Sequence, residues 1–582
     1  MNAARLMQHF ERISEVPDAV PRLRRFILDL AVRGKLVEQD PKDEPAAELL
    51  ERIRAEKARL VKEGKIRSAR ALEVSKEDSE RFQIPVTWTW CRLSEVGAIV
   101  GGGTPPSADA DNFTNGGSGT AWLTPADLGK HTGLYVSHGA RDLTPQGLRS
   151  SSATLMPKGS VLFTSRAPIG YTAIAANEVS TNQGFKSVVP FIPECNLYIA
   201  VYFRAFGKWI DGKASGTTFR EVSGKIVANL PFPLPPLAEQ HRIIAKVDEL
   251  MTLCDRLEAA QAGRENRRDR LAAASLHRLN NGADVESFRE HARFHLRHLP
   301  RLTTRPEHIQ QLRQTILNLA ARGQLVPQDP NDETASVLLN RIEKRKAELL
   351  GEAKIKKTKA CRKFDLNEVP HSVPKLWTWA MLGEITDVGT GSTPSRTQPS
   401  FWDDGSIPWI SSGSTSQSLI TIGDEFVTEK AVTAHRLRLY QPGTLLVALY
   451  GQGKTRGQVA TLGIESTINQ ACAAVCPLQG FEPMHSYLKL LLQKNYDEVR
   501  ALSAGGAQPN LNVQKIKEVL VPLPPVTEQH RIVAKVDELM GLCDRLKTQL
   551  TAAQTESRGL LETTLADALA ENGETLQEVL QT

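Results

Sequence analysis

Residues 239–251 read EQHRIIAKVDELM, and residues 528–540 read EQHRIVAKVDELM. The two stretches differ at one position, Ile244 against Val533, and they lie 289 residues apart. Because the chain has 582 residues, two copies of this length account for nearly all of it. A solenoid would need several short repeats, so two long copies predict a pseudo-two-fold scaffold within one polypeptide.

Other matches share this offset. Residues 27–37 (ILDLAVRGKLV) correspond to 316–326 (ILNLAARGQLV), and the WTW of 88–90 recurs at 377–379. We therefore divide each copy into a helical lead-in, a middle domain and a long helix. The predicted boundaries are 1–84 for the N-terminal helical region, 85–236 for the first middle domain, 237–373 for the central region with its long helix and helical linker, 374–525 for the second middle domain and 526–582 for the C-terminal helix.

The helices carry clear start and stop signals. A lead-in helix is predicted near 20–33, with Gly34 as its C-cap. Long helices are predicted at about 237–275 and 526–570, each directly after a double proline. The apolar positions of the first long helix follow heptad steps of 4, 3, 4 and 3, which favours an antiparallel coiled coil between the two long helices. The alternative is that each apolar stripe packs on its own domain. The stripe comprises Ile243, Val247, Leu250, Cys254 and Leu257.

The middle segments are rich in Gly, Thr and Pro and contain short apolar runs. Residues 160–164 and 444–448 each follow a turn and read as strands. The fold class is therefore α/β (α+β), with two mixed α/β domains separated by long helices. The two middle segments share only scattered anchors, whereas the helices are nearly identical. A common framework that presents different side chains is typical of a protein that reads two unlike half-sites.

Composition narrows the class of protein further. The net charge is +6, and basic residues cluster at 52–70, 264–305 and 341–363, which suits either phosphate contact or a solvated helix face. The seven cysteines lack the spacing of a zinc site, so buried reduced thiols are expected. No run of about 18 apolar residues exists, and no signal-peptide core precedes residue 10, so we expect a cytoplasmic protein.

One stretch competes as an enzymatic signal. Residues 448–455, ALYGQGKT, approach a phosphate-binding loop, although Ala448 stands where the first glycine belongs. The residues that follow read as a turn and a strand where the motif requires a helix, and the first copy has no counterpart. We therefore interpret it as a basic loop that faces DNA. No methyltransferase motif and no H-E-x-x-H is present, so no catalytic site is predicted.

Several ordered motifs carry a family resemblance. LPPxxEQxxI occurs at 234–243 and again at 523–532, GTPPS at 103–107 matches STPS at 392–395, and RGKLV and RGQLV begin at Arg33 and Arg322. Together they resemble the specificity subunit of type I restriction–modification systems. The long helical lead-in is similar to the variant with an extended N-terminal conserved region. The resemblance covers almost the whole chain.

The resemblance implies a DNA-binding subunit without catalysis of its own. Its two recognition domains would each read one half of a bipartite, asymmetric double-stranded target. Its partners would be two methyltransferase subunits that use S-adenosylmethionine, and restriction subunits that use ATP and Mg²⁺, so this chain would bind no cofactor. A stand-alone DNA-binding regulator, a nuclease or fused enzyme, and a scaffold without DNA contact remain as alternatives.

DNA readout requires Arg, Lys, Asn and Gln at base edges and cations at phosphates. Side chains that are alike in both domains suit backbone positioning, whereas Arg166, Lys454 and Arg456 differ between the copies and suit specificity. In the first domain the candidates are Lys158, Arg166, Asn182, Gln183, Lys186, Lys213 and Arg220. In the second they are Arg396, Tyr450, Lys454, Arg456, Asn469, Gln470, Gln508 and Asn510.

Overall fold

The repeat in the sequence returns in the fold of the computed structural model. Two compact units are present, one made of Met1–Glu265 with Ala553–Thr582 and the other of Asn266–Ala552. The division between the two units falls inside both long helices. The domain boundaries predicted from the sequence stay predictions. The structure describes residues 15–66, 82–215, 220–281, 284–356, 359–450, 455–503 and 511–570.

The first repeat alternates helices and short strands. Its helices are α1 (Ala19–Val32), α2 (Ala46–Lys62), α3 (Leu93–Val96), α4 (Pro125–Lys130), α5 (Pro145–Arg149), α6 (Asn196–Gly212), α7 (Gly224–Ala228) and α8 (Leu237–Asn280). Its strands are β1 (Thr89–Arg92), β2 (Gly97–Gly101), β3 (Phe113–Asn115), β4 (Thr120–Leu123), β5 (Tyr135–Val136), β6 (Arg141–Leu143), β7 (Val161–Phe163), β8 (Thr172–Ala175), β9 (Ser180–Thr181), β10 (Lys186–Pro190) and β11 (Pro231–Leu234).

The second repeat follows the same plan, and its described part begins with one further helix, whose counterpart in the first repeat lies outside the described residues. Its helices are α9 (Val285–Leu302), α10 (Pro306–Ala321), α11 (Ala335–Gly351), α12 (Leu382–Ile385), α13 (Glu429–His435), α14 (Met484–Ser503), α15 (Val513–Lys517) and α16 (Val526–Ala570). Its strands are β12 (Thr378–Met381), β13 (Thr386–Thr390), β14 (Ile407–Ile410), β15 (Leu419–Ile420), β16 (Glu425–Val427), β17 (Leu445–Ala448), β18 (Val459–Leu462), β19 (Thr467–Ile468), β20 (Cys472–Pro477) and β21 (Leu520–Leu523).

The two middle domains share one sheet topology. The order of the main sheet is β2-β10-β7-β8-β5 in the first and β13-β20-β17-β18-β15 in the second. A second sheet, β3-β6-β4-β9, corresponds to β16-β14-β19. The predicted strands at 160–164 and 444–448 are the central β7 and β17 of the main sheets. The mixed α/β class is therefore confirmed in both domains.

Each middle domain is closed at its base by a two-stranded ribbon. In the first domain β1 pairs antiparallel with β11, from Thr89 opposite Leu234 to Arg92 opposite Pro231. In the second domain β12 pairs with β21 in the same register. The chain therefore enters and leaves each middle domain at adjacent positions. The prolines of β11 and β21 have no backbone N–H to donate to a neighbouring strand. Such residues are tolerated in a ribbon of two strands, where each strand is an edge.

A buried glutamate in the first turn of each long helix fixes the helix to its domain. Glu239 is fully buried, and its Oε2 accepts a hydrogen bond from Trp88 Nε1 at 2.9 Å while its Oε1 accepts one from Gln39 Nε2 at 2.7 Å. Glu528 accepts the equivalent bonds from Trp377 and Gln328 in the second repeat. Burial raises the pKa of both carboxyl groups above their usual range. One repeated interaction thus ties together lead-in, middle domain and long helix.

The apolar stripe of the long helices packs within the units. Ile243, Val247 and Cys254 lie in the core of the first unit, together with residues of α1, α6 and the main sheet. Ile532 and Val536 occupy the same place in the core of the second unit. These positions therefore follow the alternative left open by the sequence, packing on their own domain. An antiparallel coiled coil between α8 and α16 stays a prediction.

The end of each long helix packs on the lead-in of the other repeat. In the first unit, Leu561 and Leu565 of α16 share a core with Phe26 and Leu30 of α1. In the second unit the end of α8 contacts the lead-in helix α10 through a hydrogen bond, which Asn280 Nδ2 donates to Thr315 Oγ1 at 3.2 Å. The first unit is therefore completed by residues distant in sequence, whereas the second is one continuous stretch.

The lead-in helix ends as predicted. α1 stops at Val32, and Gly34 has φ +69°, a left-handed conformation that strains any residue with a Cβ. A Cβ on Gly34 would also lie 2.4 Å from Pro85 Cγ. Gly323 has the same φ sign and the same proximity to Pro374. Both positions thus require glycine for conformation and for space.

We expect Gly34→Ala to lower the free energy of unfolding by about 2–4 kcal/mol, since left-handed strain adds to a steric overlap. Gly64 provides a matched control, because it has φ +68° and a Cβ added there would meet no described atom within 4 Å. Gly64→Ala should therefore cost only about 1 kcal/mol. Urea unfolding followed by circular dichroism measures both. Equal effects of the two substitutions would show that the Pro85 contact contributes nothing.

Candidate nucleic-acid interface

A buried tryptophan positions the Gly-Thr-Pro or Ser-Thr-Pro loop in each middle domain. Trp122 lies near the end of β4, and its Nε1 donates to the carbonyl oxygen of Gly103 at 3.0 Å. Trp409 of β14 donates in the same way to Ser392 at 3.1 Å. The anchors that the two sequences share therefore have a structural role, holding one loop against the second sheet.

The repeated Asn-Gln pair closes a turn beside this loop. Asn182 donates its backbone N–H to Leu123 and accepts at Oδ1 the backbone N–H of Gly184 at 2.9 Å. Asn469 makes the corresponding bonds, including 3.0 Å from Ala471 N to Oδ1. The asparagine side chains are thus committed to their own turns. This observation favours a structural role over DNA contact for both asparagines.

The glutamines of the same turns are exposed and connect to the loop. Gln183 accepts a hydrogen bond from Thr104 Oγ1, and Gln470 accepts one from Thr393 Oγ1 at 2.6 Å. Each bond uses the amide oxygen and leaves the NH₂ group directed elsewhere. An exposed, oriented amide of this kind suits a phosphate or a base acceptor.

Two first-domain candidates converge on one acid. Lys186 Nζ lies 2.9 Å from Glu221 Oε1, and Arg166 Nη1 lies 3.8 Å from Glu221 Oε2. Both basic side chains keep part of their surface exposed to solvent. Ion pairs that water can reach contribute little to stability. The acid orients the two cations, and a phosphate or guanine could compete for them. Glu221 escaped sequence reasoning because it lies 35 residues from Lys186.

The remaining first-domain candidates lie apart from this cluster. Lys213 follows α6 and lies 4.4 Å from the centre of the Trp209 ring, while Arg220 Nη2 donates to the backbone oxygen of Asp211 at 2.7 Å. Lys158 is exposed in the turn before β7. Their exposure leaves them available to a phosphate, but no described contact joins them to Arg166 or Lys186.

Arg396 is an exposed residue of the second domain that two tryptophan rings and one acid hold in place. Its guanidinium lies 4.0 Å from the ring centre of Trp402 and 5.2 Å from that of Trp409, and it forms an ion pair with Glu425. This pair holds the pKa of Glu425 below its usual range, so the acid stays charged. Stacking keeps the guanidinium in place while its outer edge remains open to solvent.

Arg141 places a guanidinium at the equivalent point of the first domain. It lies 4.4 Å from the ring centre of Phe113 and 5.9 Å from that of Trp122, the counterpart of Trp409. The two arginines come from different elements, since Arg141 begins β6 and Arg396 belongs to a loop. No alignment of the two copies would pair them, so sequence reasoning missed Arg141.

The loop after the central strand differs between the domains. Arg166 in the first and Tyr450 in the second follow β7 and β17 closely, and Tyr450 is exposed. Arg456 is half-buried beyond the loop, and β18 follows as an antiparallel partner of β17. A strand therefore stands where a phosphate-binding loop would require a helix. Lys454, Gln508 and Asn510 lie outside the described residues.

The side chains of the described residues bear on whether the chain has a metal site, and the cysteines on whether it has a reactive thiol. The described residues include no group of three His, Cys, Asp or Glu side chains that could hold a metal ion. All seven cysteines are free, and burial raises the pKa of Cys195 to about 11 and of Cys472 to about 12. These thiols stay protonated at neutral pH and are poor nucleophiles.

None of the described helices is both long and apolar enough to cross a membrane.

Two unlike domains of one topology, set on a repeated helical scaffold, are the arrangement expected of a protein that reads two different half-sites. The family model described as "Type I restriction modification DNA specificity domain" matches residues 85–262 and 374–553. The chain therefore belongs to the family of type I restriction–modification specificity subunits, as the sequence motifs indicated.

Known relatives cover nearly the full length. The type I restriction enzyme EcoAI specificity subunit of Escherichia coli is 30% identical over 95% of this chain and 93% of the relative. The EcoEI specificity subunit of the same organism gives the same identity and coverage. A solved HsdS subunit from Thermoanaerobacter tengcongensis is 19% identical, with a TM-score of 0.41 over 84% of this chain and 97% of that one.

Proposed function

We propose that this subunit binds a bipartite, asymmetric DNA target, with each middle domain reading one half. One observation carries the proposal: the domains share the tryptophan-anchored frame but differ in the side chains beside it. Arg166 in the first domain corresponds in topology to Tyr450 in the second. A common frame would place both domains alike on a duplex, and different side chains would select different bases.

We further propose a division of labour among the contacts. Features present in both domains, the glutamines Gln183 and Gln470 and the guanidinium groups of Arg141 and Arg396, would bind phosphates. Features that differ, such as Arg166, Lys186 and Tyr450, would contact base edges. Phosphate contacts fix register without carrying sequence information, which matches a shared framework.

The chain would have no catalytic activity and would position partner subunits on the DNA. Two methyltransferase subunits would bring S-adenosylmethionine, and restriction subunits would bring ATP and Mg²⁺, so this chain itself would need no cofactor. The two-fold repeat of the scaffold supports two partners of one kind, because a repeated surface can dock the same protein twice.

The proposal is tested by sequencing methylated bases in cells that express this chain with its methyltransferase subunits. We expect one target of two short blocks separated by an unspecified spacer. Replacing residues 86–230 with the equivalent domain of another family member should change one block and leave the other intact. A single continuous target, or a change in both blocks, would contradict the proposal.

Two arginine substitutions should distinguish contacts with base edges from contacts with phosphates. We expect Arg166→Ala to relax discrimination at one block by about 10- to 100-fold, as for the loss of a bidentate base contact of about 1–3 kcal/mol. Arg141→Gln should instead weaken target and non-target DNA equally and reduce the salt slope by about one. Competition binding with singly altered duplexes measures both effects. A change of sequence preference in Arg141→Gln would refute the division.

A further inference from the structure

Helix α9 carries a row of arginines that the recognition domains do not explain. Arg289, Arg293, Arg297 and Arg301 recur at every fourth position and are all exposed. We call these four residues the arginine row. Three successive i,i+4 pairs of like charge destabilise a helix by repulsion. The row therefore does not serve the stability of α9 and calls for another explanation.

The orientation of α9 is fixed by its opposite face. His295 is buried, and its Nδ1 lies 3.0 Å from Ser275 Oγ of α8. At 3.6 residues per turn the arginine row covers an arc of about 120°, and the centre of this arc lies opposite His295. The packing of α9 on α8 thus directs the whole row away from the protein interior.

The row is largely unneutralised. Among the described residues, Arg293, Arg297 and Arg301 have no ion-pair partner, and Arg289 only approaches Glu286 at 4.0 Å. Arginines of the lead-in helices differ, since Arg52 pairs with Glu44 at 2.7 Å. Similar contacts neutralise Arg59 and Arg341.

Only one repeat has the row. The positions 289 residues before Arg293, Arg297 and Arg301 hold Ala4, Gln8 and Arg12. The parts of the scaffold that are nearly the same in both copies, 27–37 with 316–326 and 239–257 with 528–546, do not include the row, so the shared scaffold does not require this charge. A feature that occurs in one repeat only suits a partner that binds the chain at a single place.

We propose that the arginine row of α9 binds the phosphate backbone of duplex DNA outside the two recognition domains. The inference rests on the proposed function, because it adds a sequence-independent contact to a DNA-reading subunit. Arginines that rise about 6 Å per step over about 18 Å meet a strand that carries one phosphate per about 3.4 Å. Each guanidinium can therefore reach a different phosphate of one strand.

The test uses the full chain with Arg293, Arg297 and Arg301 all replaced by glutamine. Binding to a random-sequence duplex is measured by fluorescence anisotropy between about 50 and 200 mM KCl. We expect the log–log salt slope to become shallower by about 2–3 and low-salt affinity to fall by about tenfold or more. The lysine triple variant keeps the charge and should retain the slope.

The control is the triple variant Arg52→Gln, Arg59→Gln and Arg341→Gln, which removes equal charge from arginines that already have acidic partners. It should leave the slope nearly unchanged. Equal slopes in the α9 variant and this control would overturn the proposal, as would unchanged DNA binding with loss of a co-purifying acidic protein. Failure of the wild-type chain to select any sequence from a random duplex pool would instead overturn the proposed function.

Discussion

Replacing Glu239 with alanine is expected to destabilise the first unit by about 2–4 kcal/mol. The substitution leaves the buried Trp88 Nε1 without its acceptor and removes one acceptor of Gln39 Nε2, which keeps the Gly34 carbonyl oxygen at 3.4 Å. The unsatisfied indole N–H costs about 1–3 kcal/mol, and a small cavity adds to this cost. Because the carboxylate joins the segment after α1, the residue before β1 and the start of α8, these three parts should loosen together.

Hydrogen exchange measured by mass spectrometry checks this expectation peptide by peptide. Exchange should rise across 19–39 and 88–92, while the equivalent peptides of the second unit serve as an internal reference. Glu249→Ala is the matched control on the same helix, since Glu249 is exposed and pairs with Lys246 at the surface. If Glu239→Ala behaved like Glu249→Ala, the buried carboxylate would have no organising role.

The double substitution Leu561→Ala and Leu565→Ala is expected to release α1, although these leucines lie more than 500 residues further along the chain. Both leucines are buried against Phe26 and Leu30. Leu→Ala changes in a core cost about 2–5 kcal/mol each, so we expect a loss of about 4–8 kcal/mol. The loss should fall on the first unit.

The same measurement discriminates the two units. Exchange should rise in peptides of 19–32 and stay unchanged in 306–321, the corresponding helix of the second unit. Leu542→Ala, at an exposed position of α16, controls for a change in helix propensity. Protection of 19–32 in the double variant would show that the end of α16 does not hold the lead-in helix.

Much of the fold was predictable because the sequence repeats it. The offset between copies identifies the scaffold, the double prolines mark the starts of the long helices, and Gly34 marks the end of the lead-in. The packing of the heptad stripe was harder, because an apolar stripe fits a partner helix and a domain core equally well. Only the three-dimensional neighbours of Ile243 and Val247 decide between them.

The candidate interface was less predictable, for a physical reason. Arg141 and Arg396 reach equivalent tryptophans from unrelated chain positions, so residue order conceals their common place. Glu221 and Glu425 pair with candidate cations through contacts distant in sequence. The asparagines of the shared pair, attractive from composition, turn out to close their own turns.

The ribbon at the base of each middle domain has an evolutionary consequence. Its strands bring entry and exit of the chain side by side, with paired Cα atoms about 5 Å apart. A segment with adjoining ends behaves as a cassette, since a foreign insert of the same topology can be accepted without rebuilding the host. One recombination event between the ribbon strands would therefore exchange a whole middle domain while the helical scaffold stays unchanged.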